Sequence, residues 1–140
     1  MEPVEQGVGH KQLLRPRLAK LEVTVGTWIQ LGQAAIAKIM AGAGYDWLVV
    51  DLEHSVISLR QAEEMMRSIR MSGVDSLARL SRNDPDQIKR VMDAGVDGVI
   101  VSMVKTAAEI TATVDAVRDP PYGTRGVGLA RAQGYVARFE

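Results

Sequence analysis

The stretch Ala43-Gly44-Tyr45-Asp46-Trp47-Leu48-Val49-Val50 decides the fold because its pattern recurs. Ser72-Gly73-Val74-Asp75-Ser76-Leu77-Ala78-Arg79 and Ala94-Gly95-Val96-Asp97-Gly98-Val99-Ile100-Val101 have the same form, small-Gly-x-Asp followed by an apolar run. Each glycine ends a segment with helical periodicity and suits a helix C-cap in the left-handed region. Leu48-Val49-Val50 and Val99-Ile100-Val101 are apolar at successive positions. A strand built this way needs both faces covered, as in a parallel sheet packed against helices.

Working outward, the segments between these runs carry helix starts. Ser58-x-x-Gln61, Asp84-x-x-Gln87 and Thr106-x-x-Glu109 each read as a capping box or a near variant, in which two side chains satisfy orphan N–H groups. Pro85 stands at a first helical position, where proline is tolerated. Ala62, Met65, Met66 and Ile69 form one apolar helix face, and Ile88, Val91 and Met92 another. The pattern predicts helices over Leu13–Lys20, Gln33–Ala43, Leu59–Ser72, Pro85–Asp93 and Ala107–Val117. It predicts strands over Val23–Ile29, Trp47–Asp51, Ser76–Leu80 and Gly98–Met103. Residues 1–12 read as a mobile tail, and the Gly- and Arg-rich segment from Pro120 to Glu140 carries no assignment.

Four successive βα units with right-handed crossovers make an α/β fold with a parallel sheet. Two architectures fit, an open doubly wound sheet and half of a (β/α)8 barrel. No Gly-x-Gly-x-x-Gly follows the first strand, which weakens a dinucleotide-binding reading. Gly123-Thr124-Arg125-Gly126-Val127-Gly128 lacks the Lys-Ser/Thr of a P-loop. It reads as a turn or a loop closing over the mouth, with a phosphate cradle the remaining alternative.

Composition narrows the function classes. In 140 residues, 17 Lys+Arg balance 17 Asp+Glu, which argues against a dedicated nucleic-acid or anionic-membrane binder. The absence of cysteine excludes disulfides, thiolate zinc sites and cysteine nucleophiles. With no long apolar run and no apolar leader near Glu2 and Glu5, the expected setting is cytoplasmic.

Chemistry in such folds gathers at the carboxyl ends of the strands. Trp28, then Asp51-Leu52-Glu53-His54, then Arg79, then Ser102-Met103 fall there. A carboxylate, an imidazole and a guanidinium at one mouth suit acid–base chemistry on an anionic substrate. Asp51 can orient the His54 imidazole and raise the basicity of its far nitrogen, although His54 can equally cap the loop. Arg79 follows small and apolar residues, where a charge is costly unless paired. Its planar fork suits a substrate carboxylate, or an ion pair with Asp51 or Glu53. Trp28 reads as a pocket wall or as a lid on the core, and Trp47 as packing.

Taken together, the motifs resemble the HpcH/HpaI aldolases of the HpcH/HpaI aldolase/citrate lyase family. The resemblance rests on Gly26-Thr27-Trp28, the run from Ala41 to His54, Asn83-Asp84-Pro85-Asp86-Gln87-Ile88-Lys89, Asp93-Ala94-Gly95-Val96, and Pro120-Pro121-Tyr122-Gly123-Thr124-Arg125-Gly126-Val127-Gly128. It implies a (β/α)8 barrel that forms and cleaves 4-hydroxy-2-oxo acids from pyruvate and an aldehyde, with Mg²⁺, Mn²⁺ or Co²⁺ as cofactor. It further implies that His54 with Asp51 carries protons, that Arg79 holds the pyruvyl group, and that Trp28 lines the pocket. The metal ligands it implies, a glutamate and an aspartate on later strands, would lie beyond Glu140. A full barrel typically takes about 250 residues. The expectation is therefore the N-terminal half of a barrel over residues 13–140, inactive alone and a homo-oligomer in full-length form. The competing expectation is a non-catalytic half-barrel that assembles with itself or with a complementary half, with Arg131 and Arg138 at the interface.

Overall fold

Gly44, Gly73 and Gly95 take φ values of +89°, +80° and +89°, the left-handed conformation expected of them. A computed structural model describes residues 13–135. The predicted tail over residues 1–12, and Arg138, lie outside the described residues. The elements are α1 (Leu14–Ala19), β1 (Gly26–Ile29), α2 (Ala34–Ala41), β2 (Trp47–Asp51) and α3 (Leu59–Met71). They continue with β3 (Asp75–Leu80), α4 (Pro85–Asp93), β4 (Gly98–Val101), α5 (Ala107–Val117) and a 3₁₀ turn at Arg131–Gln133.

The capping boxes at Ser58 and Thr106 form in full. Asp84 instead accepts from the Asp86 N–H, and the Gln87 side chain turns to Ser81 Oγ at 3.2 Å. The first strand is shorter than predicted. Pairing starts at Gly26, opposite Trp47, and Val23 and Val25 stay exposed. The fourth strand ends early as well, because Met103 adopts a left-handed φ of +59° and turns the chain away.

Each repeated aspartate has a structural duty at the amino ends of the strands. Asp46 accepts from the Val25 N–H at 2.8 Å and pairs with Arg17. Asp75 accepts from the N–H groups of Leu13 and Leu14 at 2.9 and 2.5 Å, which anchors α1 beneath the sheet. Asp97 accepts from the Ser76 N–H and hydroxyl at 2.9 and 3.1 Å. Carboxylates thus satisfy backbone donors at two strand starts and at the start of α1, where no ladder or intrahelical partner exists.

All strand pairs are parallel and their order is β1-β2-β3-β4. With right-handed crossovers and no reversal of order, α2 to α5 fall on one face of the sheet. This is barrel winding, and it removes the doubly wound alternative. Ile29, Leu48, Val50, Ala78 and Leu80 point to the helices and pack with Ala37, Ala62, Met65, Met66, Ile69, Ile88 and Val91. Burial of each large aliphatic side chain in this layer contributes roughly 1.5–3 kcal/mol. By alternation, Trp28, Val49, Asp51, Leu77, Arg79 and Ile100 take the other face, which would be the inside of a barrel.

Candidate active site

Strand register brings Asp51 directly beside Arg79. Asp51 is fully buried, yet both its oxygens are satisfied. Arg79 grips it with two bonds, Nε to Oδ1 at 2.9 Å and Nη2 to Oδ2 at 2.5 Å. Gln30 Nε2 donates to Oδ2 at 2.8 Å, while the N–H groups of Glu53 and His54 donate to Oδ1 at 3.0 and 3.1 Å. The bidentate guanidinium, followed by Gln30 and the two loop amides, holds the Asp51 carboxyl well below the usual carboxylate range against the opposing effect of burial. Reciprocally, the bonds that Arg79 donates to Asp51 raise Arg79 above its ordinary value.

This arrangement corrects the expected contact between Asp51 and the His54 ring. Asp51 bonds the His54 backbone N–H, and its oxygens are already taken by five donors. The imidazole projects into solvent, 66% exposed, with Nε2 3.7 Å from Glu53 Oε2. Proximity to a carboxylate thus falls to Glu53, which is 17% exposed. Glu53 Oε2 also accepts from Ser102 Oγ at 2.5 Å and lies 3.4 Å from Arg79 Nε. It ties the loop after β2 to the end of β4.

Trp28 is 42% exposed, which places it at the mouth and not in the core. Arg79 Cζ lies 4.5 Å over the centre of its ring, a cation–π stack that orients the guanidinium plane. With Nε and Nη2 committed to Asp51, Nη1 is the edge of the guanidinium free of described partners. A planar donor edge beside an aromatic wall can take a carboxylate or a 2-oxo group. Trp47 packs as expected, with its Nε1 donating to Thr24 Oγ1 at 3.2 Å.

Gln30 and Ser102 join the site through contacts that strand ends alone do not announce. Gln30 has one available signal: it stands two residues after Trp28 and so shares its face of the strand. The donor set does not fit a divalent ion. Among the described residues no three His, Asp or Glu side chains cluster as ligands, and Asp51 has no oxygen to spare. The glycine-rich segment stays away from the mouth. Thr124 and Arg125 donate from their N–H groups to the Asp115 and Arg118 carbonyls of the α5 end, at 2.8 and 3.0 Å. A Cβ on Gly123 would come within 2.3 Å of the Arg118 carbonyl oxygen, so this turn requires glycine. Arg125 is buried and bonds Asp93 and Asp119, each at 3.0 Å.

Fold and site together define part of a barrel-type βα sheet with a buried Asp–Arg clamp at the strand carboxyl ends. The chain belongs to the HpcH/HpaI aldolase/citrate lyase family, whose model matches residues 24–137. It is 37% identical over 119 residues to 2-dehydro-3,6-dideoxy-6-sulfogluconate aldolase of Pseudomonas putida, covering 84% of this chain and 47% of that protein. It is 38% identical over 109 residues to 4-hydroxy-2-oxo-heptane-1,7-dioate aldolase of Escherichia coli, covering 78% of this chain and 42% of that protein. The HpcH/HpaI aldolase of Desulfitobacterium hafniense superposes with a TM-score of 0.80 at 30% identity, over 87% of this chain and 48% of that one. A family member from Burkholderia cenocepacia superposes with a TM-score of 0.83 at 29% identity, over 89% and 52%. The chain thus spans about half the length of these relatives and shares the architecture of (β/α)8 barrel proteins. None of its described helices is long and apolar enough to cross a membrane.

Proposed function

We propose that this chain forms the pyruvyl-holding part of an aldolase site that cleaves or makes 4-hydroxy-2-oxo acids. The observation that carries this reading is Arg79, clamped by buried Asp51 through Nε and Nη2 and stacked on Trp28 at the mouth, with Nη1 free of described partners. In the cleavage direction, Nη1 binds the carboxylate or the 2-oxo group. His54, exposed beside it, takes the proton of the 4-hydroxyl through water. The C3–C4 bond breaks, the aldehyde leaves, and its bonding electrons form the enolate of pyruvate, which Arg79 steadies. Protonation at C3 then gives pyruvate. Asp51 acts as the fixed anchor of Arg79 and of the loop carrying His54, and Trp28 walls the pocket. Divalent-metal dependence belongs to the whole enzyme in this proposal, with ligands supplied from outside the described residues.

Calorimetric titration of pyruvate into the 140-residue chain tests the reading. Binding is expected, and Arg79→Lys should weaken it about tenfold or more, because an ammonium loses the fork and the stack. Equal affinity in the two proteins would sink the role of Arg79. Pyruvate release from 4-hydroxy-2-oxo-heptane-1,7-dioate, with Mg²⁺ or Mn²⁺ added, is expected to be absent for residues 1–140 alone. Turnover there would show that the chain contains its own metal ligands. A second reading, self-assembly through the sheet, is favoured by β4, whose four residues are all only half-buried. Light scattering decides it, since a monodisperse monomer counts against assembly.

A further inference from the structure

Gln30 follows β1 one step past the Ile29–Val50 pair, which sets it beside Asp51, and Asp51 in turn pairs with Arg79. Three adjacent strands thus place Gln30, Asp51 and Arg79 in one row across the inner face, at the strand carboxyl ends. The row is tied at a single atom. Gln30 Nε2 and Arg79 Nη2 both donate to Asp51 Oδ2, at 2.8 and 2.5 Å. The carboxamide and the guanidinium are therefore neighbours around one oxygen.

That shared oxygen also fixes the orientation of the carboxamide. A carboxylate held ionised, above all by Arg79, accepts hydrogen bonds and donates none. Half a turn of the Gln30 amide would set Oε1 against Oδ2, acceptor against acceptor, so Nε2 is the atom that stays on Asp51. Gln30 is exposed, and among the described residues no donor bonds its Oε1. Two unengaged groups of opposite kind thus remain on neighbouring side chains, the acceptor Gln30 Oε1 and the donor Arg79 Nη1.

We propose that Gln30 is a specificity-determining residue that selects a 2-oxo acid bearing a hydroxyl on C3. Its Oε1 accepts from that hydroxyl while Arg79 holds the carboxylate or the 2-oxo group. This rests on the reading of Arg79 as the pyruvyl holder. In such an acid the hydroxyl oxygen is two bonds from C2, so donor and acceptor are adjacent in the ligand as they are in the site. A methyl in the same place offers Oε1 no donor.

Calorimetric titration of 3-hydroxypyruvate and of 2-oxobutanoate into the full 140-residue chain provides the test, because the two acids differ only in a hydroxyl or a methyl on C3. 3-Hydroxypyruvate should bind about three- to tenfold more tightly, the range that one net hydrogen bond gives. Gln30→Met keeps the length of the side chain and removes both polar atoms, and in that variant the two acids should bind with equal affinity. The proposal is overturned if the parent shows no preference for the hydroxylated acid. It is also overturned if Gln30→Met weakens both acids equally and keeps the preference, which is what a role confined to supporting Asp51 predicts. Pyruvate, titrated in parallel, separates this inference from the one beneath it. Pyruvate binding without a preference for the hydroxylated acid removes the role of Gln30 alone, whereas failure of all three acids to bind removes the reading of Arg79 and this one with it.

Discussion

Strands β2 and β4 carry nearly interchangeable apolar runs, yet they live in different surroundings. Leu48, Val49 and Val50 are wholly buried. Val99, Ile100 and Val101 are only half-buried. Strand β2 has β1 on one side and β3 on the other, whereas among the described residues β4 pairs with β3 alone. A run of successive apolar residues states that both faces need cover, and the neighbours in space supply it. The family relatives, about twice as long as this chain, have the additional length from which such cover can come.

The difference can be broken most severely by placing a charge in each strand. Val49→Asp puts an unpaired carboxylate at a wholly buried position and should cost about 3–5 kcal/mol, enough to abolish cooperative thermal unfolding followed by circular dichroism. Ile100→Asp, at the half-buried counterpart, should leave a cooperative transition at lower temperature. Equal loss in the two variants would mean that β4 is covered in solution.

A smaller effect belongs to the carboxyl end of β2. Asp51→Asn keeps the shape but removes the charge gripped by Arg79, and should cost about 2–3 kcal/mol at pH 7. The sign of its pH dependence follows from the depressed carboxyl. Stability from Asp51 is fully present above the ordinary carboxylate range, near pH 4, and is lost as pH falls through the lower folded value. Thermal melts between pH 2 and about 5 should therefore show a shallower acid loss in Asp51→Asn than in the parent. Some loss should remain, since Asp46 is also held low, by the Val25 N–H and Arg17.

The mildest test lies at the end of β4. Ser102→Ala removes the hydroxyl that bonds Glu53 and should cost about 1 kcal/mol, a shift of a few degrees in melting temperature. A much larger shift would make Glu53 a principal tie between β2 and β4.

Much of the fold was legible locally. Ser58, Thr106 and the three glycines announce helix boundaries because caps act over three or four residues. The cost of burying a charge narrows the partner of Arg79 to Asp51 or Glu53, and the structure engages both, Asp51 by hydrogen bonds and Glu53 at 3.4 Å. Other features were hidden because they depend on register. Gln30 and Asp51 are 21 residues apart, and Ser102 and Glu53 are 49 apart, so no local pattern links them. The orientation of His54 was hidden for a different reason. Spacing placed the residue beside Asp51 but did not show that its backbone N–H, and not its ring, would take the carboxylate.

By itself, then, the sequence determined the alternation of helix and strand, the glycine-capped turns and the set of residues at the strand carboxyl ends. These follow from short-range sterics, capping and the period of apolar residues. Only the tertiary structure decided between barrel winding and a doubly wound sheet, and only it turned Asp51 into the anchor of Arg79 and left β4 half-covered. Those outcomes depend on which strands lie side by side and in what register, and such pairings join residues that are distant along the chain.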